Sequence, residues 1–221
     1  ARATGGVVKF PAASPTVQFV TAPGLTDGIV GGAYFVGSDF ATHGGDNTPV
    51  VAYSGYTGGD LGSVASSATV NMKPTGAQTL VDTKTINTLN LTGGIGVTMG
   101  FGRTLTLDAG GLIVNGGGNI TGGYLTPSTE FIVNSATDMT IGSAITGGNG
   151  LTKLGAGALT LAGANVFSGQ TTLLEGSLIL GGGTNTLAAN NAFQVNKNCT
   201  LDLGAGSQYV GNLSSSTTDE G

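Results

Sequence analysis

The chain has 221 residues, 42 of them Gly, with 9% charged residues, 6% aromatics, no Trp and a formal charge of −5. Its glycines keep no three-residue period and Pro numbers only 6, which excludes collagen, while 39% hydrophobic residues spread through short regular runs exclude a disordered chain. The seven basic residues, Arg2, Lys9, Lys73, Lys84, Arg103, Lys153 and Lys197, are scattered along the sequence, so no phosphate-tracking stripe forms and no nucleic-acid partner is expected.

What remains is an all-β, turn-dense fold with Gly at its corners, where positive φ costs least. Residues 1–65 form the first region and hold four β-like runs, at 7–10, 17–20, 29–40 and 50–53. Pro11, Ala22-Pro23-Gly24, Gly44-Gly45-Asp46-Asn47 and Thr48-Pro49 supply the turns between them. Aromatics concentrate here (Phe10, Phe19, Tyr34, Phe35, Phe40, Tyr53, Tyr56), and the region reads as longer or wider coils of the solenoid that follows. The pair Tyr53 and Tyr56, two residues apart across Ser-Gly, suits either a sugar-stacking platform or packing against the first coils. Residues 61–70 lack large side chains and read as a thin coil or a loop.

Residues 66–221 are more regular. From Val70 onward apolar-x-apolar triplets recur at Leu89/Leu91, Val97/Met99, Leu105/Leu107, Leu112/Val114, Phe131/Val133, Met139/Ile141, Leu159/Leu161, Leu178/Leu180, Phe193/Val195 and Leu201/Leu203. Many start about seven or eight residues apart with Gly, Asn or Asp turns between, which is the spacing of short strands around a solenoid coil. Three such strands give a rung of about 20 to 25 residues, with the triplet flanks pointing inward and the Thr, Asn and Ser centres outward. Stacking at about 4.8 Å yields about six or seven rungs, a rod roughly 30 Å long. Charge is scarce because like charges one rung apart repel.

The most specific wording lies at residues 150–181, Gly-Leu-Thr-Lys-x-Gly-Ala-Gly-x-Leu-Thr-Leu-x-Gly-Ala-Asn-x-x-x-Gly-x-Thr-Thr, then a Glu-Gly turn and a Leu-x-Leu strand. This stretch resembles the autotransporter-associated β-strand repeat of large secreted bacterial surface proteins. The resemblance implies a right-handed parallel β-helix, export, and an extracellular or cell-surface place. It covers residues 80–213 well and the first third loosely. The segment Gly31 to Thr42 followed by Val50 to Tyr53 also looks like a stretch recurring beside such repeats.

Sites for chemistry are few. No nucleophile elbow, P-loop or dinucleotide fingerprint occurs. Ser38, Asp39, His43 and Asp46 form the densest polar group, but a catalytic triad is normally assembled from distant segments, so His43 reads as a solvated loop residue and Asp46 as turn chemistry. With one Cys and one His no zinc site of the usual type assembles, and Cys199 reads as a small core side chain. Leu151 stands where a calcium-binding glycine-repeat needs Asp. The carboxylates Asp60, Asp82, Asp108, Glu130, Asp138, Glu175 and Asp202 are far apart, mostly near turns. No catalytic residue, metal site or cofactor is therefore expected, and Tyr53 and Tyr56 are the candidate ligand-contact residues.

No apolar run approaches the roughly 20 residues that cross a bilayer, so no membrane span is expected. The opening Ala1-Arg2, with no leader-like stretch, reads as a processed chain or an excised fragment. Near the other end, the polar Ser-Ser-Ser-Thr-Thr-Asp-Glu-Gly run offers no amphipathic helix to cap the last rung. An uncovered rung is an open sheet edge, to be met by further repeats or by head-to-tail self-association. The functional reading is a non-enzymatic structural protein of the surface, a rigid stalk or self-assembling fibre with adhesion as a further role. A module binding surface glycans is the first alternative, and a polysaccharide lyase or hydrolase the second.

Overall fold

The computed structural model describes residues 5–12 and 16–216, so Arg2 and the tail residues 217–221 lie outside the described residues. Beyond the parallel bridge between Thr57 and Met72 the chain winds as an all-β parallel solenoid of about 7 turns. One face is a seven-stranded parallel sheet of Gln78–Leu80, Val97–Met99, Asn119–Thr121, Met139–Ile141, Ala158–Leu161, Ser177–Leu180 and Thr200–Asp202, stacked in chain order. Register partners on this face lie 19 to 23 residues apart, one rung of chain.

The other two faces begin as the halves of two long strands, Lys84–Thr92 and Thr104–Asn115, whose pairing shifts register between Ile86 and Thr88 as they turn a corner. The first half of Thr104–Asn115 pairs with Tyr124–Pro127, which pairs in turn with Ala144–Ile145. The second half leads through Phe131–Ser135, Leu151–Leu154, Thr171–Leu173 and Asn191–Asn196 to Val210–Ser216.

Alternation in sequence becomes rows in space. Val97, Ile120, Ile141, Leu161 and Leu180 make one inward row, and Met139, Leu159 and Leu178 another, all at most 3% exposed. Each such side chain contributes roughly 1.5–3 kcal/mol of burial, and the rows run unbroken through the core. The Thr centres of the triplets face outward, as the alternation requires.

The first region departs from the expectation of wider coils. β1 (Val8–Phe10) runs parallel to β2 (Tyr34–Val36), and β2, β3 (Asp39–His43) and β4 (Val50–Ala52) are joined antiparallel. This separate four-stranded sheet lies against the outside of the solenoid. Its Phe35 and Phe40, with Ile29 and Ala33 from the segment leading into β2, pack on Ile113, Ile132 and Leu154, which occupy outward positions of successive rungs. Those positions are apolar because this face is covered on both sides, and burial on both sides replaces alternation by continuous apolar runs. Contact is close enough to demand glycine: a Cβ on Gly32 would lie 2.1 Å from the Ala109 carbonyl oxygen, and one on Gly111 would lie 2.6 Å from the Phe40 ring.

The two ends of the solenoid differ. Residues 57–70 fold over the first rung, where Leu61, Met72 and Leu80 are 0% exposed and the Leu61 amide donates to the buried Gln78 side chain. At the other end Leu203 and Leu213 are 44% and 61% exposed, beside a hollow of about 780 Å³ that Val195 and Leu201 also line. Among the described residues nothing pairs with the outer edges of Thr200–Asp202 or Val210–Ser216.

Candidate functional site

Docking of the first region leaves a groove of about 750 Å³ between its last strand and the opening rungs, lined by Asp39, Tyr53, Ser54, Tyr56, Lys73, Thr75 and Thr92 among others. Tyr53 follows directly on β4, and its amide donates to the Phe40 carbonyl at 2.7 Å. Its hydroxyl donates to the Gly55 carbonyl at 2.8 Å, which curls the Ser-Gly turn back on the ring. The turn brings Tyr56 edge-on to Tyr53, with centroids 4.9 Å apart. Both rings are half-buried, so they serve as packing for the first region and as wall for the groove.

Tyr56 is the better anchored of the two. Its hydroxyl accepts from the Phe40 amide at 3.1 Å and from Asn90 Nδ2 at 3.2 Å. Burial pushes its phenol far above the ordinary range, so it stays protonated. The Lys73 ammonium sits 5.1 Å above its ring and 2.9 Å from Asp39 Oδ1. Asn90 Nδ2 also reaches Asp39 Oδ1 at 3.0 Å. A carboxylate, an ammonium, two phenols and three aliphatic hydroxyls thus border one groove, an arrangement able to hold a hydroxyl-rich ligand by hydrogen bonds.

Tyr53 and Tyr56 both line this groove and both pack against the first region. The meeting of Asp39 with Lys73 was not foreseeable from the sequence, because the two are 34 residues apart and come together only through docking of the first region. The only available signal was Asp39 at the entry to an aromatic-rich strand.

The Ser38, Asp39, His43, Asp46 group does not converge. His43 is buried at 9% exposure in β3, correcting its reading as a solvated loop residue. Its Nε2 donates to the Pro23 carbonyl at 3.0 Å while Nδ1 accepts from the Gly45 amide at 3.1 Å, so both ring nitrogens are occupied by backbone. Ser38 accepts from Asn115, and Asp46 accepts from the Ala22 amide. Carboxylates elsewhere serve turns and crossings: Asp60 caps Gly62 and Ser63, Asp138 the Ala158 amide, Asp202 the Gly204 amide, and Glu130 receives the Gly5 amide and Thr152. Cys199 packs at the edge of the core, and burial raises its thiol pKa.

Residues 151–180 match the passenger-associated-transport-repeat family. The chain carries a passenger repeat of the autotransporter kind. A stretch of 103 residues, 44% of this chain, is 36% identical to a protein described as Adhesin BmaC autotransporter from Brucella suis biovar 1 (strain 1330), and it spans 3% of that relative. No solved structure gives a match. The repeat and the relative place the chain with exported, cell-surface proteins.

The passenger repeat spans more than one turn of the solenoid, and two of its polar residues have internal work. Asn165 is 2% exposed; its Oδ1 accepts from the Ile145 amide at 2.9 Å and its Nδ2 donates to the Gly163 and Thr186 carbonyls, tying three successive rungs. Lys153 takes an inward position between Val133 and Leu173 and is 0% exposed. Its ammonium donates to the carbonyls of Leu154, Gly155 and Glu175 at 3.0, 2.7 and 3.2 Å. Burial, opposed by the nearby Glu175 carboxylate, lowers its pKa to about 8. Gly155 (φ +86°) makes the turn that aims its carbonyl at this ammonium. Alternation counted from Leu151 puts residue 153 on the inward face, and the lysine there is accommodated by the carbonyls around its ammonium.

Proposed function

We propose that the chain is a non-enzymatic, rigid segment of a surface stalk that lengthens at its C-terminal end, with adhesion carried on its side. The observation that carries this reading is the contrast of the two ends. Head-to-tail growth of identical units needs two complementary open faces, whereas here the first rung is covered and the last presents exposed Leu203 and Leu213 beside edges that no described residue pairs. An open end of this kind accepts a further rung in the register the ladders already set. The structural partners of Asp60, Glu130, Asp138, Glu175 and Asp202 support a role other than glycan cleavage, which needs a free acid and base across a groove.

Sedimentation velocity and negative-stain imaging of the isolated chain over a wide concentration range test the stalk. Expected are rods that pair open end to open end and stop at dimers, and that become monomers when Leu203 and Leu213 are both changed to Asp. Long fibres would support the self-assembling alternative instead. Monomers at every concentration would show that the open end is not an interface.

A second reading is favoured by a specific observation. Tyr53 and Tyr56 share their groove with Asp39 and Lys73, which supports a side-on site for surface glycans. Binding of labelled chain to a glycan array, weakened by obstruction of that groove, is the test.

A further inference from the structure

If the lateral groove is a glycan site, its charge and geometry narrow the ligand. We infer that the groove formed by Tyr53, Tyr56, Asp39, Lys73 and Thr75 takes a neutral saccharide, and that the Asp39–Lys73 pair reads two adjacent hydroxyls. The inference rests on the glycan reading above and adds the class of sugar and the residues that select it.

Among the described residues, Asp39 and Lys73 are the only charged ones lining the groove, and their formal charges cancel. They are joined at 2.9 Å, with side chains 26% and 34% exposed, so each keeps polar capacity toward the groove. An ammonium carries three donors and a carboxylate about four acceptor sites, so the contact between them leaves both unfilled. Two neighbouring sugar hydroxyls match this edge, one accepting from Lys73 and the other donating to Asp39.

An acidic sugar does not match it. A uronate or sialate carboxylate would have to draw Lys73 away from Asp39 and leave Asp39 facing a like charge in a partly shielded site. Lys73 is also held over the Tyr56 ring at 5.1 Å, which fixes where its donors point. Beside this edge the Tyr53 and Tyr56 rings, set edge to face, add apolar surface to the lining, of the sort that the C–H face of a pyranose covers. Ser54 and Thr75 lie exposed at the rim, within reach of the outer hydroxyls of a sugar held there.

Other features carry less. The C-terminal hollow belongs to the stalk reading, and the hollow around Lys9 and Glu175 is bridged by their own ion pair at 2.6 Å.

The decisive experiment is an array carrying matched neutral and acidic glycans, probed with the labelled chain and followed by calorimetry on any hit. The variants are Thr75→Arg, which obstructs the rim from an exposed position, and Lys73→Met, which removes the ammonium and leaves Asp39 with its Asn90 bond; circular dichroism verifies their fold. Expected is binding to neutral glycans only, weakened about tenfold or more by each variant. Binding confined to acidic glycans overturns this inference and leaves the glycan reading standing. Neutral binding that neither variant changes overturns the placement in this groove, and no binding to any glycan overturns the glycan reading itself.

Discussion

The solenoid and the sheet laid on its side are built by different rules. In the solenoid each rung of 19 to 23 residues repeats the pattern of its predecessor, so parallel register follows from matching like with like: Leu159 over Met139, Leu178 over Leu159. The sheet of β1 to β4 repeats nothing. It is held by shape, with Phe35 and Phe40 against Ile113 and Ile132 and glycine where the backbones nearly touch. Repetition thus encodes the rod locally, whereas the side sheet depends on surface that several rungs must assemble first. The side sheet is accordingly expected to fold after the rod and to leave it first.

The largest effect should come from breaking a row in the rod. Leu159→Ala removes a fully buried side chain between two rungs and should cost about 2–5 kcal/mol, seen in urea titrations as a loss of the whole structure. A loss confined to the side sheet would contradict the ordering of the two regions.

Lys153 sharpens the comparison from inside the rod. Its pKa falls from 10.5 to about 8 on folding, so between those values the unfolded chain binds the extra proton and stability rises with pH. The gain above pH 10.5 relative to pH below 8 should reach roughly 3 kcal/mol. Denaturant midpoints measured across this range should climb, and Lys153→Met should flatten the climb; an unchanged slope in the variant would assign it to other groups.

Detaching the side sheet is the next effect. Gly32→Val drives a side chain into the Ala109 carbonyl, and hydrogen exchange should show β1 to β4 losing protection while the rungs keep theirs. If protection falls equally throughout, rod and sheet are one cooperative unit. Smallest is Lys9→Met, which removes the exposed link from β1 to Glu175 and should cost under about 1 kcal/mol, readable as a slight rise in exchange at β1 alone.

Much of the rod was legible before folding. The triplets gave strand positions and inward faces, and the Gly-Leu-Thr-Lys wording pointed to the passenger repeat that residues 151–180 match. The side sheet was not legible, although consecutive Leu112-Ile113-Val114 and Phe131-Ile132-Val133 carried a trace of it: a strand apolar on both faces must be covered on both. The groove was half legible. Tyr53 and Tyr56 stood out as a local pair, but Asp39 and Lys73 meet through tertiary contact alone, and no period in the sequence connects them.

What the sequence determined by itself is the repeated part, because alternation and rung length are local quantities and stacking like on like turns them directly into register. What only the tertiary structure decided is which outward face is covered, which end stays open and which charges meet beside the tyrosines. Those depend on complementarity between surfaces that exist only once the rungs have stacked.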